Sequence, residues 1–134
     1  MDAPRIKVLC VDDSARLTAA WQRLFQRQPD LEMVASLPSA DDLVATVKDR
    51  KPDVVLMDLT MAGRDPLDAM SELARVEPDV RVLVCTGLTD PVLVERAMDA
   101  GAWGFVTKVE DPDRIIDAIR RVARGQVVIP GAQT

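Results

Sequence analysis

Five residues of this 134-residue chain carry groups that could act together on a phosphate: Asp12, Asp13, Asp58, Thr86 and Lys108. Each stands where an apolar run ends. Three crowded carboxylates repel one another, and burying them without a cation is costly. An all-oxygen donor set of that kind suits a hard divalent ion, Mg2+ above all. Lys108 would then offer a positive charge to one phosphoryl oxygen, and Thr86 a hydroxyl to another. Positioning and charge neutralisation are what phosphoryl transfer requires. Taken singly, each residue has a plainer reading. A strand-end aspartate usually caps a helix or sits in a turn, and Asp13 could cap the first helix in place of Ser14. Their joint placement at the ends of separate strands sets the group apart. The chain has no histidine, which removes histidine catalysis, histidine metal ligation and any role as a histidine phosphodonor.

The elements that must bring these residues together show as five short apolar runs, at 6–11, 31–37, 54–59, 80–85 and 104–107. Most are rich in valine, isoleucine or leucine, as expected of strands covered on both faces. Between them the apolar residues recur with helical period, as in Leu17, Ala20, Trp21, Leu24 and Phe25, and again in Ala40, Leu43, Val44 and Val47. The last three helices share one start signal. Asp65-Pro66, Asp90-Pro91 and Asp111-Pro112 each set a capping carboxylate before a proline suited to the first turn. Gly101 and Gly125 stand where left-handed helix ends favour glycine. The pattern is (βα)5, a doubly wound, flavodoxin-like α/β fold with a parallel five-stranded sheet. In the order 2-1-3-4-5 the polar strand ends converge on one edge, where open parallel sheets bind ligands.

Bulk properties narrow the function. Seventeen Lys and Arg against 22 Asp and Glu give a formal charge of -5, the wrong sign for a non-specific nucleic-acid binder. The first residues lack a signal-peptide core, and no apolar run approaches the ~18 residues of a membrane span. A cytoplasmic protein is expected. Cys10 and Cys85 each lie within an apolar run and read as small buried hydrophobes rather than a disulfide. One domain is expected over 5–125, with 126–134 as a tail or the start of a linker.

The segments V-D-D-S at 11–14, L-M-D-L-T-M at 56–61, C-T-G at 85–87 and G-A-W-G-F-V-T-K at 101–108 resemble the receiver domains of bacterial two-component response regulators. The resemblance covers nearly the whole chain. It implies that Asp58 is the phosphoacceptor and that Asp12, Asp13, Asp58 and the backbone carbonyl of Thr60 hold Mg2+. It further implies that Thr86 and Lys108 sense the phosphoryl group, and that the rotamer of Phe105 follows Thr86. The donor would be a sensor histidine kinase or a phosphohistidine transfer protein. Thr60 and Leu88 would flank the attacking water during self-dephosphorylation. Neither is a strong water orienter, so a phosphoryl lifetime of minutes to hours is expected. The signal would leave through the face made by the fourth helix, fifth strand and fifth helix, toward a partner, an attached domain or a second copy in a homodimer. Trp103, beside Phe105, is either a ring packed on the fourth helix or an aromatic anchor on that face. The chain departs from the family pattern at Ala62 and Pro66, in the loop after strand three, and at Val109, where a proline often follows the lysine in a cis peptide. The stretch G-A-W-G-F-V-T-K and the ending A-R-G-Q-V-V-I-P look most like regulators that carry a C-terminal helix-turn-helix and control transcription.

Other classes fit less well. A haloacid-dehalogenase-like phosphatase also uses a strand-end aspartate and Mg2+, but its nucleophile motif resembles D-x-D, and Asp58-Leu59-Thr60 lacks the second carboxylate. A flavin binder of the flavodoxin type needs a phosphate loop after strand one, where this chain has Asp12-Asp13-Ser14. A degenerate receiver used only for docking would not keep all five site residues. The sequence thus reads as a phosphoacceptor, not as a multi-turnover enzyme.

Overall fold

The computed structural model describes residues 4–87 and 90–129. Ten elements alternate along the described residues: β1 (Ile6–Val11), α1 (Ala15–Gln26), β2 (Leu31–Leu37), α2 (Leu43–Arg50), β3 (Val54–Met57), α3 (Pro66–Val76), β4 (Arg81–Thr86), α4 (Pro91–Asp99), β5 (Gly104–Thr107) and α5 (Pro112–Ala123). The strands form one parallel sheet in the order β2-β1-β3-β4-β5, as expected from the alternation. Among the described residues no helix is long and apolar enough to cross a membrane.

Side-chain alternation splits the core into two layers. Leu9, Val11, Val55, Met57, Val82, Val84 and Phe105 point to the side of α2, α3 and α4, where they meet Leu43, Val47, Met70, Leu73 and Ala97. Val8, Cys10, Leu56, Leu83, Cys85 and Val106 face α1 and α5, meeting Trp21, Phe25, Ile115, Ile116, Ile119 and Val122. Full burial of one such aliphatic or aromatic side chain contributes roughly 1.5–3 kcal/mol before entropy is counted. The covering of both faces explains why the strands carry continuous apolar runs.

Local chemistry sets the helix boundaries. Asp65, Asp90 and Asp111 each accept a hydrogen bond from the backbone two residues on, and a proline opens α3, α4 and α5. Ser14, not Asp13, caps α1, accepting from the Leu17 amide at 3.1 Å. Asp13 is thereby left for other work. Gly101 and Gly125 have φ of 105° and 87°, the left-handed region that glycine reaches without a Cβ clash.

Two strand boundaries differ from expectation. β3 ends at Met57 rather than at 59, because Asp58 makes the last sheet bond (its N–H to the Val11 carbonyl, 2.9 Å) and its carboxylate then turns the chain by accepting from the Thr60 amide. β4 runs from Arg81 to Thr86, one residue later than the apolar run at 80–85, since Thr86 still pairs with Thr107. No cis peptide bond occurs among the described residues, the Lys108–Val109 bond included.

Candidate phosphoacceptor site

The carboxyl ends of β1 and β3 are neighbours through the pairing of Val11 with Met57. Asp12 and Asp58 therefore leave the sheet side by side, and both are buried. Asp13 is exposed at the rim. One carboxylate oxygen from each of Asp12, Asp13 and Asp58 lies within 4.8 Å of the others. Opposed oxygens around Mg2+ stand about 4.2 Å apart, so one small hard cation can reach all three with little movement. The donor set is purely oxygen, which fits the same class of ion.

Lys108 supplies the balancing charge. Its Nζ lies 2.7 Å from Asp12 Oδ2 and 3.3 Å from Asp58 Oδ2. Burial works against its ammonium, yet the hydrogen bond to Asp12 and the charges of both aspartates leave its pKa above the ordinary lysine value. The Lys108 amide donates to the Thr86 carbonyl at 2.9 Å, which ties the end of β5 to the end of β4. Thr86 is fully buried. It lies two residues beyond Val84, the partner of Met57 across β3 and β4, and so tops the strand beside Asp58.

The oxygens of Asp12 and Asp58 are also held by local donors. Asp12 Oδ1 accepts from the Ser14 amide at 2.9 Å. Asp58 Oδ1 accepts from the Thr60 amide at 3.3 Å and from the Thr60 hydroxyl at 3.1 Å, and that hydroxyl also reaches Oδ2 at 3.3 Å. Each bond is local in sequence and holds a carboxylate in place. The Thr60 hydroxyl contact was not foreseen. A threonine two residues after a strand-end aspartate is its only trace in the sequence.

The loop from β3 to α3 has an anchor that sequence reasoning missed. Asp41, ahead of α2, accepts the Arg64 amide at 2.8 Å, and the Arg64 side chain pairs with Glu72 at 2.7 Å and Asp68 at 3.1 Å. A Cβ at Gly63 would sit 2.7 Å from Asp41 Oδ1, and its φ is 94°. Glycine is therefore required at 63. This clamp shapes the loop that contains Ala62 and leads into Pro66 at the start of α3. The pair is 23 residues apart, so no local pattern announces it.

Phe105 is completely buried, on the same face as Val84, Ala97 and Ala102. Its ring already occupies the interior in this conformation, with Thr86 buried as well. Trp103 corrects one expectation: it does not pack on α4. It lies half-buried against the α1–α5 layer, with the Arg81 guanidinium 4.9 Å from its ring centroid. Arg81 opens the neighbouring strand, and its attraction to the ring face draws the indole to that side. Leu88 lies outside the described residues.

Cys10 and Cys85 are free, buried thiols, as the sequence implied. Burial, first of all, pushes the Cys85 thiol up to about 12 and raises that of Cys10 as well. Both are therefore inert hydrophobes at neutral pH.

The comparisons with known proteins agree with this geometry. The family model for the response regulator receiver domain matches residues 8–120. The chain is 33% identical over 123 residues to response regulator protein VraR of Staphylococcus aureus, an alignment covering 92% of this chain and 59% of VraR. It is 39% identical over 140 aligned positions to protein-glutamate methylesterase/protein-glutamine glutaminase 2 of Cupriavidus pinatubonensis, covering 95% of this chain and 38% of that protein. Among solved structures, a LuxR-family two-component response regulator from Aurantimonas sp. SI85-9A1 matches with a TM-score of 0.89 at 28% identity, covering 95% of this chain and 91% of that one. The chain thus spans between about two fifths and three fifths of the curated relatives' length. Three carboxylates converging at the ends of two parallel strands, a lysine set between two of them and a family match over most of the sequence lead to one assignment: this chain belongs to the response regulator receiver domains.

Proposed function

We propose that the domain is a phosphorylation switch in which Asp58 accepts a phosphoryl group from a phosphohistidine on a sensor histidine kinase or a phosphotransfer protein. The observation that carries this reading is the convergence of Asp12, Asp13, Asp58 and Lys108 from three distant parts of the chain. An Asp58 carboxylate oxygen forms the new P–O bond while the P–N bond of the donor breaks, and the departing imidazole keeps the electron pair and takes up a proton. Lys108 faces the phosphoryl oxygens as a fixed positive charge, and Thr86 offers its hydroxyl. Asp12, Asp13, Asp58 and the carbonyl of Thr60 would hold Mg2+, which supplies charge neutralisation when bound.

In this reading the domain undergoes its own phosphorylation and slow hydrolysis without turning over a separate substrate. Residues 5–125 form the phosphoacceptor unit, followed by a tail or the start of a linker whose first residues pair with β5 through Val128. Thr86 and Phe105 share one face of adjacent strands, which supports their roles as switch residues. The α4–β5–α5 face then acts on a partner, an attached output domain or a second copy, in the cytoplasm. Control of transcription is the output favoured by the likeness to LuxR-family regulators.

The test is incubation with acetyl phosphate and Mg2+, followed by phosphate-affinity electrophoresis. A slower band is expected for the wild type and none for Asp58→Asn. An equal shift in Asp58→Asn would overturn the assignment of the acceptor.

A further inference from the structure

After α5 the chain does not leave the domain. Gly125 reverses its direction, and the backbone returns to the free edge of β5. The Val128 N–H donates to the Trp103 carbonyl at 3.2 Å, and the Phe105 N–H donates to the Val128 carbonyl at 2.9 Å. Val128 and Gly104 form a parallel bridge. A Cβ at Gly104 would meet Val128 Cβ at 3.2 Å and Leu83 Cδ1 at 2.8 Å, so the bare glycine makes room for the returning chain. Val128 packs on the α1–α5 layer, while Val127 and Ile129 are about half exposed. Beneath this contact, Arg81 donates to the Ala123 carbonyl at 3.0 Å and covers the Trp103 ring.

β5 is only four residues long and, among the described residues, has β4 as its one strand partner. Short edge strands are weakly held. The returning segment gives β5 a second neighbour, at the two peptide groups that flank Gly104. One of these is the amide of Phe105, whose side chain is buried on the opposite side of the sheet. Two residues after Phe105 comes Thr107, paired with Thr86, and then Lys108, on Asp12 and Asp58. The four-residue strand therefore joins the returning segment at one end to the phosphoacceptor site at the other.

Resting on the reading of Asp58 as phosphoacceptor, we infer that residues 126–129 form a strap whose docking on β5 is linked to occupancy of that site. The docked strap and the buried Phe105 belong to one state. Whatever favours that state at Asp58 tightens the strap, and by reciprocity the strap raises affinity at Asp58. Trp103 and Phe105 are the relay, through backbone hydrogen bonds rather than through a side chain on the surface.

The test uses the full chain beside two variants, Val128→Pro, which deletes the donor to Trp103, and a chain ending at Gln126. Amide hydrogen exchange reads the strap, and titration with beryllofluoride in the presence of Mg2+ reads the site. The Lys108 amide, bonded to Thr86, checks that each variant keeps its fold. In the wild type, beryllofluoride should slow exchange at Phe105 and Val128. Both variants should lose protection at Phe105, retain it at Lys108 and bind beryllofluoride at least about fivefold more weakly, the low end of measured couplings. Variants that lose Phe105 protection yet bind as tightly as wild type would overturn the linkage, as would full Phe105 protection in the shortened chain. A wild type that takes up no beryllofluoride would instead bring down the phosphoacceptor reading and the linkage with it.

Discussion

Lys108 stands closer to Asp12 than to Asp58, 2.7 Å against 3.3 Å. In this conformation the lysine sits inside the carboxylate cluster and competes with any cation for the same oxygens. Lys108→Met should therefore bind Mg2+ more tightly, by about fivefold, corresponding to roughly 1 kcal/mol of removed competition at a partly exposed site. The same variant should lose stable beryllofluoride binding, because the positive partner of the anion is gone. Isothermal titration reads both. Weaker Mg2+ binding in Lys108→Met would show that the lysine organises the carboxylates rather than competing for them.

Asp13 differs from its two neighbours in being exposed, with Ser14 taking the capping role. Its contribution should be to the cation alone. Asp13→Ala is expected to weaken Mg2+ binding at least about tenfold, since even losing a group that only supports a metal ligand commonly costs that much. The metal-free melting temperature should not fall, since one repelling charge is relieved. Unchanged Mg2+ affinity would remove Asp13 from the site.

The two tryptophans should report different events. Trp21 lines a small cavity with Cys10, Asp12, Leu56, Asp58 and Cys85, directly under the carboxylates. Its emission should respond to Mg2+, and Trp21→Phe should abolish that response. Trp103, against Arg81 and the strap, should respond to beryllofluoride in the Trp21→Phe background, and Thr86→Ala should blunt the change. Steady-state fluorescence is sufficient for both. A Mg2+ response that survives in Trp21→Phe would contradict the placement of the indole.

At the opposite end of the sheet, Arg120 of α5 grips Asp30 with two hydrogen bonds, at 2.8 and 3.1 Å, and Gln28 with a third at 2.8 Å. The Arg120 hydrogen bond holds the Asp30 carboxyl below its ordinary value, more than offsetting burial. A depressed folded-state pKa gives stability that is present above the ordinary carboxylate value, near 3.8, and is lost as pH falls through the folded value. Both side chains are about a third exposed or more, so Arg120→Ala should cost only about 0.5–1 kcal/mol at neutral pH. The difference should shrink as the medium is acidified below about pH 4. Urea melts at pH 7 and pH 3 would show it, and an equal loss at both pH values would reduce Arg120 to a packing role.

Most of the architecture was readable because its signals are local. An aspartate before a proline both caps a helix and starts it, and that held three times. Apolar runs covered on both faces marked the strands, and their polar ends led to Asp12, Asp58, Thr86 and Lys108. The misses share a different cause. Trp103 was read either as packed on α4 or as an aromatic anchor on the output face, and neither reading anticipated Arg81 over its ring from the neighbouring strand. Asp30 and Arg120 are 90 residues apart. The Val128 contact depends on a missing Cβ at Gly104. Such pairings arise only after the sheet has formed, and nothing near either partner in the sequence records them. The end of β3 was set two residues late because Leu59 continues the apolar pattern after the Asp58 carboxylate has already turned the chain.

The bridge between Gly104 and Val128 is parallel, and this fixes a heading. α5 carries the backbone away from the carboxylates, to the pole where Arg81 begins β4. A chain that simply continued from Ala123 would deliver whatever follows to that far pole, remote from the chemistry. The parallel return reverses the route. By Ile129 the polypeptide is travelling in the same direction as β5, toward the end of the sheet that holds Lys108.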